Sequence, residues 1–334
     1  EGATSPWDGF PGAAFFLPEV QVTAREGERW LTTAASGEAA PTRAEELLAT
    51  WRERLTGDAG QVTQSPPGID AREREPSQAA WRQQVEAALE SVADGALQKV
   101  VLAQSLRATL RADLSVPDVL GRLAETYPDC YRFMLSPTDE ATFFGATPER
   151  LVSLRGRTVR TEALAGSTGR GDTPAEDEWL GAELLDSEKD IHEHELVAEA
   201  IRDQLEPYAA SVRIGERTIR RLATVQHLRT SITAELADDE HILSLVDALH
   251  PTPAVGGLPP DAALSTIRET EAFDRGWYAA PIGWVDGAGN GTFAVGIRSA
   301  VASDRTATLF AGAGIVADSD PDREWDEVQL KYRP

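Results

Sequence analysis

PIGWVDGAGNGTFAVGIRSAVASDRTATLFAGAGIV, residues 281–316, holds three strand-like runs in succession: PIGWVD (281–286), GTFAVGIRSAVAS (291–303) and TATLFAGAGIV (306–316). Gly, Asn and Asp punctuate the gaps, and no helical period intervenes. Strands this close together return as antiparallel neighbours, because a parallel return needs a long crossover. Similar runs occur upstream at QKVVLAQSLRATL (98–110), YRFML (131–135), TFFGA (142–146), RLVSL (150–154), TVRTEAL (158–164), RIGERTI (213–219) and VQHLRTSITAEL (225–236). AAFFLPEVQV and WLTTAA, within residues 11–35, read as strands too.

Helices are fewer. They are expected at 41–55 (PTRAEELLATWRERL), at 77–93 with Ser77 as N-cap and Gly95 near the C-cap, and as one long helix over 174–206; DREWDEVQLKY closes the chain. Residues 57–76, rich in Gly, Pro, Ser and charge, read as a surface connection. Strand runs interrupted by a few long helices, without βαβ alternation, give an α+β class with mostly antiparallel sheet.

The chain has 334 residues, 41% of them hydrophobic, enough to bury a large core. Its formal charge of −23 argues against nucleic-acid binding, which needs a basic footprint. Most of these carboxylates read as a solubilising surface, so an anion site must be locally cationic or hold a metal. No apolar run is long enough for a membrane helix, and EGATSPWDGF does not read as a signal peptide. The lone Cys130 excludes an internal disulfide framework and fits a cytoplasmic protein. Coiled-coil heptads are not evident, and a monomer is expected.

Three groups of residues could carry chemistry. Glu324, Glu327 and Lys331 are spaced i, i+3, i+7, which puts two acids and an ammonium on one helix face. A solvated face with an i, i+4 ion pair fits them as well, but the glycines of Ala311-Gly312-Ala313-Gly314 just upstream allow close approach of a ligand. Glu183, Asp186, Asp190 and Glu193 lie near one another on the expected long helix, as a solvent stripe or as hard oxygen donors suited to Mg²⁺. His192 and His194 point about 200° apart on a helix and cannot chelate one metal together. Lys99 opens the apolar run KVVLA, either as a strand-edge lysine or as a general base freed by desolvation and nearby cations. Glu149, in Thr147-Pro148-Glu149-Arg150, is the candidate acid partner.

The motifs KVVLA (99–103), FFGATPERL (143–151), TEALAGSTGRG (161–171), SEKDIHEHELV (187–197), LHPTPAVGG (249–257), FAVGIRS (293–299), FAGAGIV (310–316) and REWDEV (323–328) stand in the order seen in chorismate-utilising enzymes. The resemblance runs from about residue 85 to the end, with a weaker echo at GFPGAAFFLPE (9–19). SEKDIHEHELV and LHPTPA are most similar to isochorismate synthases of siderophore pathways. The resemblance implies a single catalytic domain over 1–334, with 1–76 its more variable part and 85–334 the family core. It implies two mostly antiparallel sheets packed as a sandwich with helices outside, the site between them, and Mg²⁺-dependent conversion of chorismate to isochorismate.

By the same resemblance, Lys99 activates water for attack at C2, and Glu149 protonates the departing C4 hydroxyl. Glu193 and Glu327 ligate Mg²⁺, with Asp190 and Glu324 close to it. Arg298, Lys331 and Tyr278, with backbone from Gly166-Ser167 and Ala313-Gly314, hold the substrate carboxylates. His227 lies near the ring, and Ala254, Val255, Ile297 and Phe310 line the pocket.

Within the family, one type of aminodeoxychorismate synthase carries a lysine where this chain has Ala165, and anthranilate synthases usually lack the lysine at 99. Salicylate synthases share Lys99 and Glu149 but show SKEIVEH where this chain has EKDIHEH. A non-catalytic chorismate-binding homologue is the alternative outside enzymes. Gln104, Thr147 and Ala279-Ala280 depart from the usual Arg, Ser and Gly-Gly.

Overall fold

The computed structural model describes residues 5–25, 27–56 and 65–332. Residues 57–64 of the expected surface connection lie outside the described residues. The chain forms two compact units. The smaller spans Pro11–Ser65 and holds a hairpin, β1 (Val20–Arg25) and β2 (Glu28–Thr33), then helix α1 (Ala40–Thr56). The hairpin starts later than AAFFLPEVQV suggests: Phe15, Phe16 and Leu17 are exposed and outside any strand.

The larger unit comprises Glu1–Phe10 and Pro66–Pro334. Its elements run β3 (Ile69–Glu75), α2 (Gln78–Ala93), β4 (Lys99–Leu110), α3 (Val116–Thr126), β5 (Tyr131–Leu135), β6 (Ala141–Thr147), β7 (Arg150–Arg155) and β8 (Thr158–Gly169). Then follow α4 (Pro174–Asp186), α5 (Glu188–Leu205), β9 (Ala209–Arg221), β10 (Val225–Leu236), α6 (Ile242–Leu249), β11 (Gly257–Leu258) and α7 (Pro260–Thr270). β12 (Pro281–Val285), β13 (Gly291–Val295), β14 (Ser299–Ser303), β15 (Thr306–Ile315) and α8 (Pro321–Lys331) complete it.

One sheet has the order β12-β13-β7-β8-β10-β9; the other is β11-β4-β15-β14-β6-β5, with β3 also on β4. Every strand pairing within them is antiparallel as the sequence suggests, so the class is α+β. Among the described residues no helix is long and apolar enough to cross a membrane.

Three departures from the sequence reading matter for the site. GTFAVGIRSAVAS is two strands in different sheets, broken at Gly296-Ile297-Arg298, where Arg298 takes φ 51. The long helix is likewise two, α4 and α5, because Ser187 turns extended and its side chain caps Asp190 N–H. That turn removes Glu183 and Asp186 from the stripe; both are exposed on α4. Thirdly, part of the expected connection is strand β3, an all-exposed run of alternating charge at the sheet edge. The helix at 77–93 is found as expected, with Ser77 accepting from Ala80 N–H at 3.3 Å.

Strand β4 is buried on both faces, which explains its nearly continuous apolar run. Val100 and Leu102 pack with Ala313 and Ile315 of β15 against Trp81 and Val85 of α2, Ala263 and Ile267 of α7, and Val328 of α8. The alternate residues face the other way. Val101 pairs Gly314 and Ala103 pairs Gly312, so the glycines of β15 leave room on the face opposite the helices.

Candidate active site

Two loops carry the chain from one sheet to the other, and each places a site residue at its crossing. Pro148-Glu149 links β6 to β7, and Gly296-Ile297-Arg298 links β13 to β14. The loops are tied together: Val295 N–H donates to Glu149 O at 3.0 Å, and Ala146 N–H to Arg298 O at 3.2 Å. Both side chains line one pocket, together with residues of both sheets and of helices α5 and α8. Glu149 is 4% exposed. Burial, reinforced by Glu162, pushes its carboxyl up to about 8, with Lys99 and Lys331 offsetting part of the rise. It is therefore a protonated acid near neutral pH. Thr147 Oγ1 accepts from Glu149 N–H at 3.3 Å, a bond a serine would also make, so the Thr-for-Ser departure keeps this contact.

Lys99, at the start of β4, is fully buried. Its Nζ lies 2.9 Å from Glu193 Oε1 of α5, an ion pair without hydrogen-bond alignment, so the ammonium has no well-placed acceptor. Burial pushes Glu193 up, but Lys99 and Lys189 more than offset this and hold it below the usual carboxylate range. Gly314 makes the pair possible: a Cβ there would stand 2.3 Å from Glu193 Oε1 and 2.8 Å from Lys99 Cε.

The cations sit on the opposite wall. Arg298 donates to Lys331 O at 3.1 Å and to His227 Nε2 at 3.3 Å, and among the described ion pairs no carboxylate holds it. Because Nε2 accepts from a guanidinium, the ring proton of His227 is on Nδ1, 2.9 Å from Ser167 Oγ. Burial and then the Arg298 charge hold His227 well below its usual range, so it is neutral. Lys331 Nζ donates to Gly312 O and pairs with Glu327 Oε1, each at 2.7 Å. A partly buried guanidinium with only neutral hydrogen-bond partners is costly until an anion arrives.

Tyr278 stacks on Phe310 at 5.3 Å, and Trp7 stacks on the same ring at 5.4 Å. Trp7 of the N-terminal segment thus backs the pocket wall. Trp7 also donates to Asp274 O at 2.9 Å and meets Phe143 and Phe10 edge-on. Trp7→Ala is expected to cost about 3–5 kcal/mol of stability, read as a lower denaturant midpoint at unchanged slope.

A second cavity adjoins the first through Ser167 and Glu327, and Lys189, Asp190 and Glu324 line it. Lys189 Nζ is 2.6 Å from Glu324 Oε1, while Glu324 Oε2 is buried with no hydrogen-bond partner. Burial, then Glu327, pushes Glu324 up to about 7. Burial also pushes Asp190 up, against the Ser187 hydroxyl that donates to it at 2.5 Å. Among the described residues no three His, Cys, Asp or Glu side chains converge as a ready metal cage; lysines hold Glu193, Glu324 and Glu327.

The pocket brings together Glu149, Gly166, Ser167, Glu193, His227, Ala254, Val255, Tyr278, Ile297, Arg298, Phe310, Gly314, Glu327 and Lys331. Lys99 and Ala313 are not among its lining residues: Lys99 is fully buried and meets the pocket through Glu193, and Ala313 turns its side chain to the helix-side core opposite Leu102, although the expectation concerned its backbone. Val101, Pro148, Leu164, Ala165 and Gly312 line the pocket without having been expected to. Val101 was within reach, since period-two alternation puts it on the Lys99 face. Gln104 faces away toward α8, its side-chain Oε1 accepting from Gln329 Nε2 at 3.3 Å. Ala279 takes φ 64, a left-handed conformation natural to glycine, so the Ala-for-Gly departure places strain beside Tyr278 rather than bulk in the pocket.

The sequence profile described as chorismate binding enzyme matches residues 1–334. A salicylate biosynthesis isochorismate synthase of Pseudomonas aeruginosa is 43% identical, over 97% of this chain and 69% of its own length. Isochorismate synthase MenF of Bacillus subtilis is 37% identical, over 99% of this chain and 70% of its own. The solved menaquinone-specific isochorismate synthase MenF from Escherichia coli superposes with a TM-score of 0.80 at 30% identity, covering 94% of this chain and 73% of that one. With the profile matched over the whole chain, the motifs in order and one pocket collecting most of the motif residues, the chain belongs to the chorismate binding enzyme family.

Proposed function

We propose that the chain is a Mg²⁺-dependent isochorismate synthase, adding water at C2 of chorismate and releasing the C4 hydroxyl as water. The observation that carries this reading is a fully buried lysine amine, Lys99, paired with the pocket residue Glu193, while a carboxyl kept protonated, Glu149, lines the same pocket with two partly buried cations. Lys99 as base takes a proton from the attacking water, and Glu149 as acid gives one to the departing hydroxyl. Chorismate is a dianion. Arg298, with its planar fork, and Lys331 supply the positive field that a chain of charge −23 lacks elsewhere.

The acids suit Mg²⁺, which prefers hard oxygen donors and few of them. The unpartnered buried Oε2 of Glu324 and the crowding that raises Glu324 and Asp190 both favour a divalent cation there. Glu193 and Glu327 would hold the ion, with Asp190 and Glu324 beside it. Bound, it would supply positive charge to a substrate carboxylate. A place in a siderophore pathway rests on SEKDIHEHELV and LHPTPA alone, and a cytoplasmic setting on the lone buried Cys130.

Chromatography of chorismate incubated with the protein, with Mg²⁺ or with EDTA and without ammonia, tests the reading. Isochorismate formed only with Mg²⁺ is the expected result. Salicylate plus pyruvate would move the chain to the lyases, and binding without conversion would make it a non-catalytic homologue. Gly314→Ala is expected to lower turnover by about 10²-fold, because its methyl displaces the Lys99–Glu193 pair. An unchanged rate would mean that this pairing does not position the base.

A further inference from the structure

Each acid assigned to the metal, save Asp190, is held by a lysine: Glu193 by Lys99, Glu327 by Lys331 and Glu324 by Lys189. Lys99 and Lys331 have work in the proposed reaction. Lys189 has none, yet its side chain is only 24% exposed and Glu324 beneath it is 1% exposed. Helix formation does not account for it either. Lys189 stands in the first turn of α5, where the positive end of the helix macrodipole disfavours a cation. What keeps it there is the surrounding negative charge: Glu324 first, then Glu327 and Glu193.

Four carboxylates, Asp190, Glu193, Glu324 and Glu327, line two cavities that share Ser167 and Glu327, and three of them are paired with these ammonium groups. Like charges so gathered repel strongly in a partly buried site. A tethered ammonium relieves that repulsion in the metal-free protein. It also pairs with Oε1 of the carboxylate whose free Oε2 favours a divalent ion, and two cations on one carboxylate repel each other.

Building on the Mg²⁺ reading above, we propose that Lys189 is an internal counter-cation, which occupies Glu324 in the metal-free protein and competes with the divalent ion for it. Lys189 is thus a positioning residue. It keeps the acid cluster folded when empty and sets how tightly the cluster holds metal. The charge count supports the exchange: three lysines against four carboxylates leave the empty site close to neutral, and a divalent ion added without displacement would leave it positive.

Mn²⁺ binding to the full-length chain, followed by electron paramagnetic resonance of the free ion, tests this without any turnover. Lys189→Met is expected to bind Mn²⁺ about 10-fold or more tightly than wild type. Its thermal midpoint should fall in EDTA and recover with Mn²⁺ by more than wild type gains. Lys189→Gln keeps a donor for Glu324 without the charge; it is expected to behave alike, and carries the test where the Met variant does not fold. In a Glu324→Gln background the tightening should vanish, because the contested carboxylate is gone. Glu327→Gln is the control for the metal site itself and should lose Mn²⁺. Unchanged or weaker Mn²⁺ binding in both Lys189 variants, with Glu327→Gln impaired, would overturn the lysine's role and leave the metal site standing. Wild type that binds no Mn²⁺, or Glu327→Gln that binds it like wild type, would overturn the metal site and the proposal with it.

Discussion

Lys99→Gln is expected to lower chorismate turnover by about 10²–10⁴-fold, the usual contribution of one general base. The geometry makes the substitution informative because Lys99 is also structural. Its ammonium is 2.9 Å from Glu193, and both are buried. Removing one partner of a buried ion pair outright costs about 3–5 kcal/mol, since the other charge is left uncompensated. Gln limits that loss by offering Glu193 a donor of similar reach, whereas Ala would open a cavity as well. Activity is therefore to be read beside a thermal unfolding curve. A folded variant without turnover is the expected outcome, and a small primary amine added to Lys99→Ala should restore part of the rate. A folded Lys99→Gln that turns over at the wild-type rate would remove the lysine as base.

Much of this site was legible residue by residue, but not as a site. The strands were readable because β4, β8, β10 and β15 carry long apolar or alternating runs, and Lys99 and Gly314 stand at the ends of two of them. What periodicity could not supply was the pairing of β4 with β15, which sets Val101 opposite Gly314 across more than half the chain. The motif order gathered these residues into one site through resemblance, without giving that pairing. The break at Ser187 was hidden because Glu183 and Glu188 on its two sides are good helix formers and only the Ser187–Asp190 cap marks the turn. The sheet change at Arg298 was hidden for the opposite reason: FAVGIRSAV keeps a strand composition straight through it. Strand β3, with charge at nearly every position and full exposure, offers no hydrophobic period at all.

Glu149→Gln is expected to abolish turnover and, at high pH, to raise stability. The amide copies the shape of the protonated acid and cannot give up a proton, so the loss of rate isolates proton donation. The stability effect follows from the direction of the carboxyl's displacement. Burial and Glu162 lift it from an ordinary 4.5 to about 8 in the folded chain. Below the ordinary value both folded and unfolded chains hold the proton, and the group contributes no pH dependence. Between that value and about 8 the unfolded chain ionises while the folded one does not, so wild type loses roughly 1.4 kcal/mol per pH unit from this group. Above about 8 both are ionised and the loss levels off. The Gln variant escapes this loss entirely. Its advantage in denaturant midpoint over wild type should accordingly grow from pH 5 to 8 and then hold constant. The rate of the wild-type enzyme should fall over the top of the same window, as the folded carboxyl ionises and its proton is no longer available to the leaving hydroxyl. A variant whose midpoint tracks wild type from pH 5 to 9 would show that Glu149 is ionised at neutral pH, and the acid would then have to be another group.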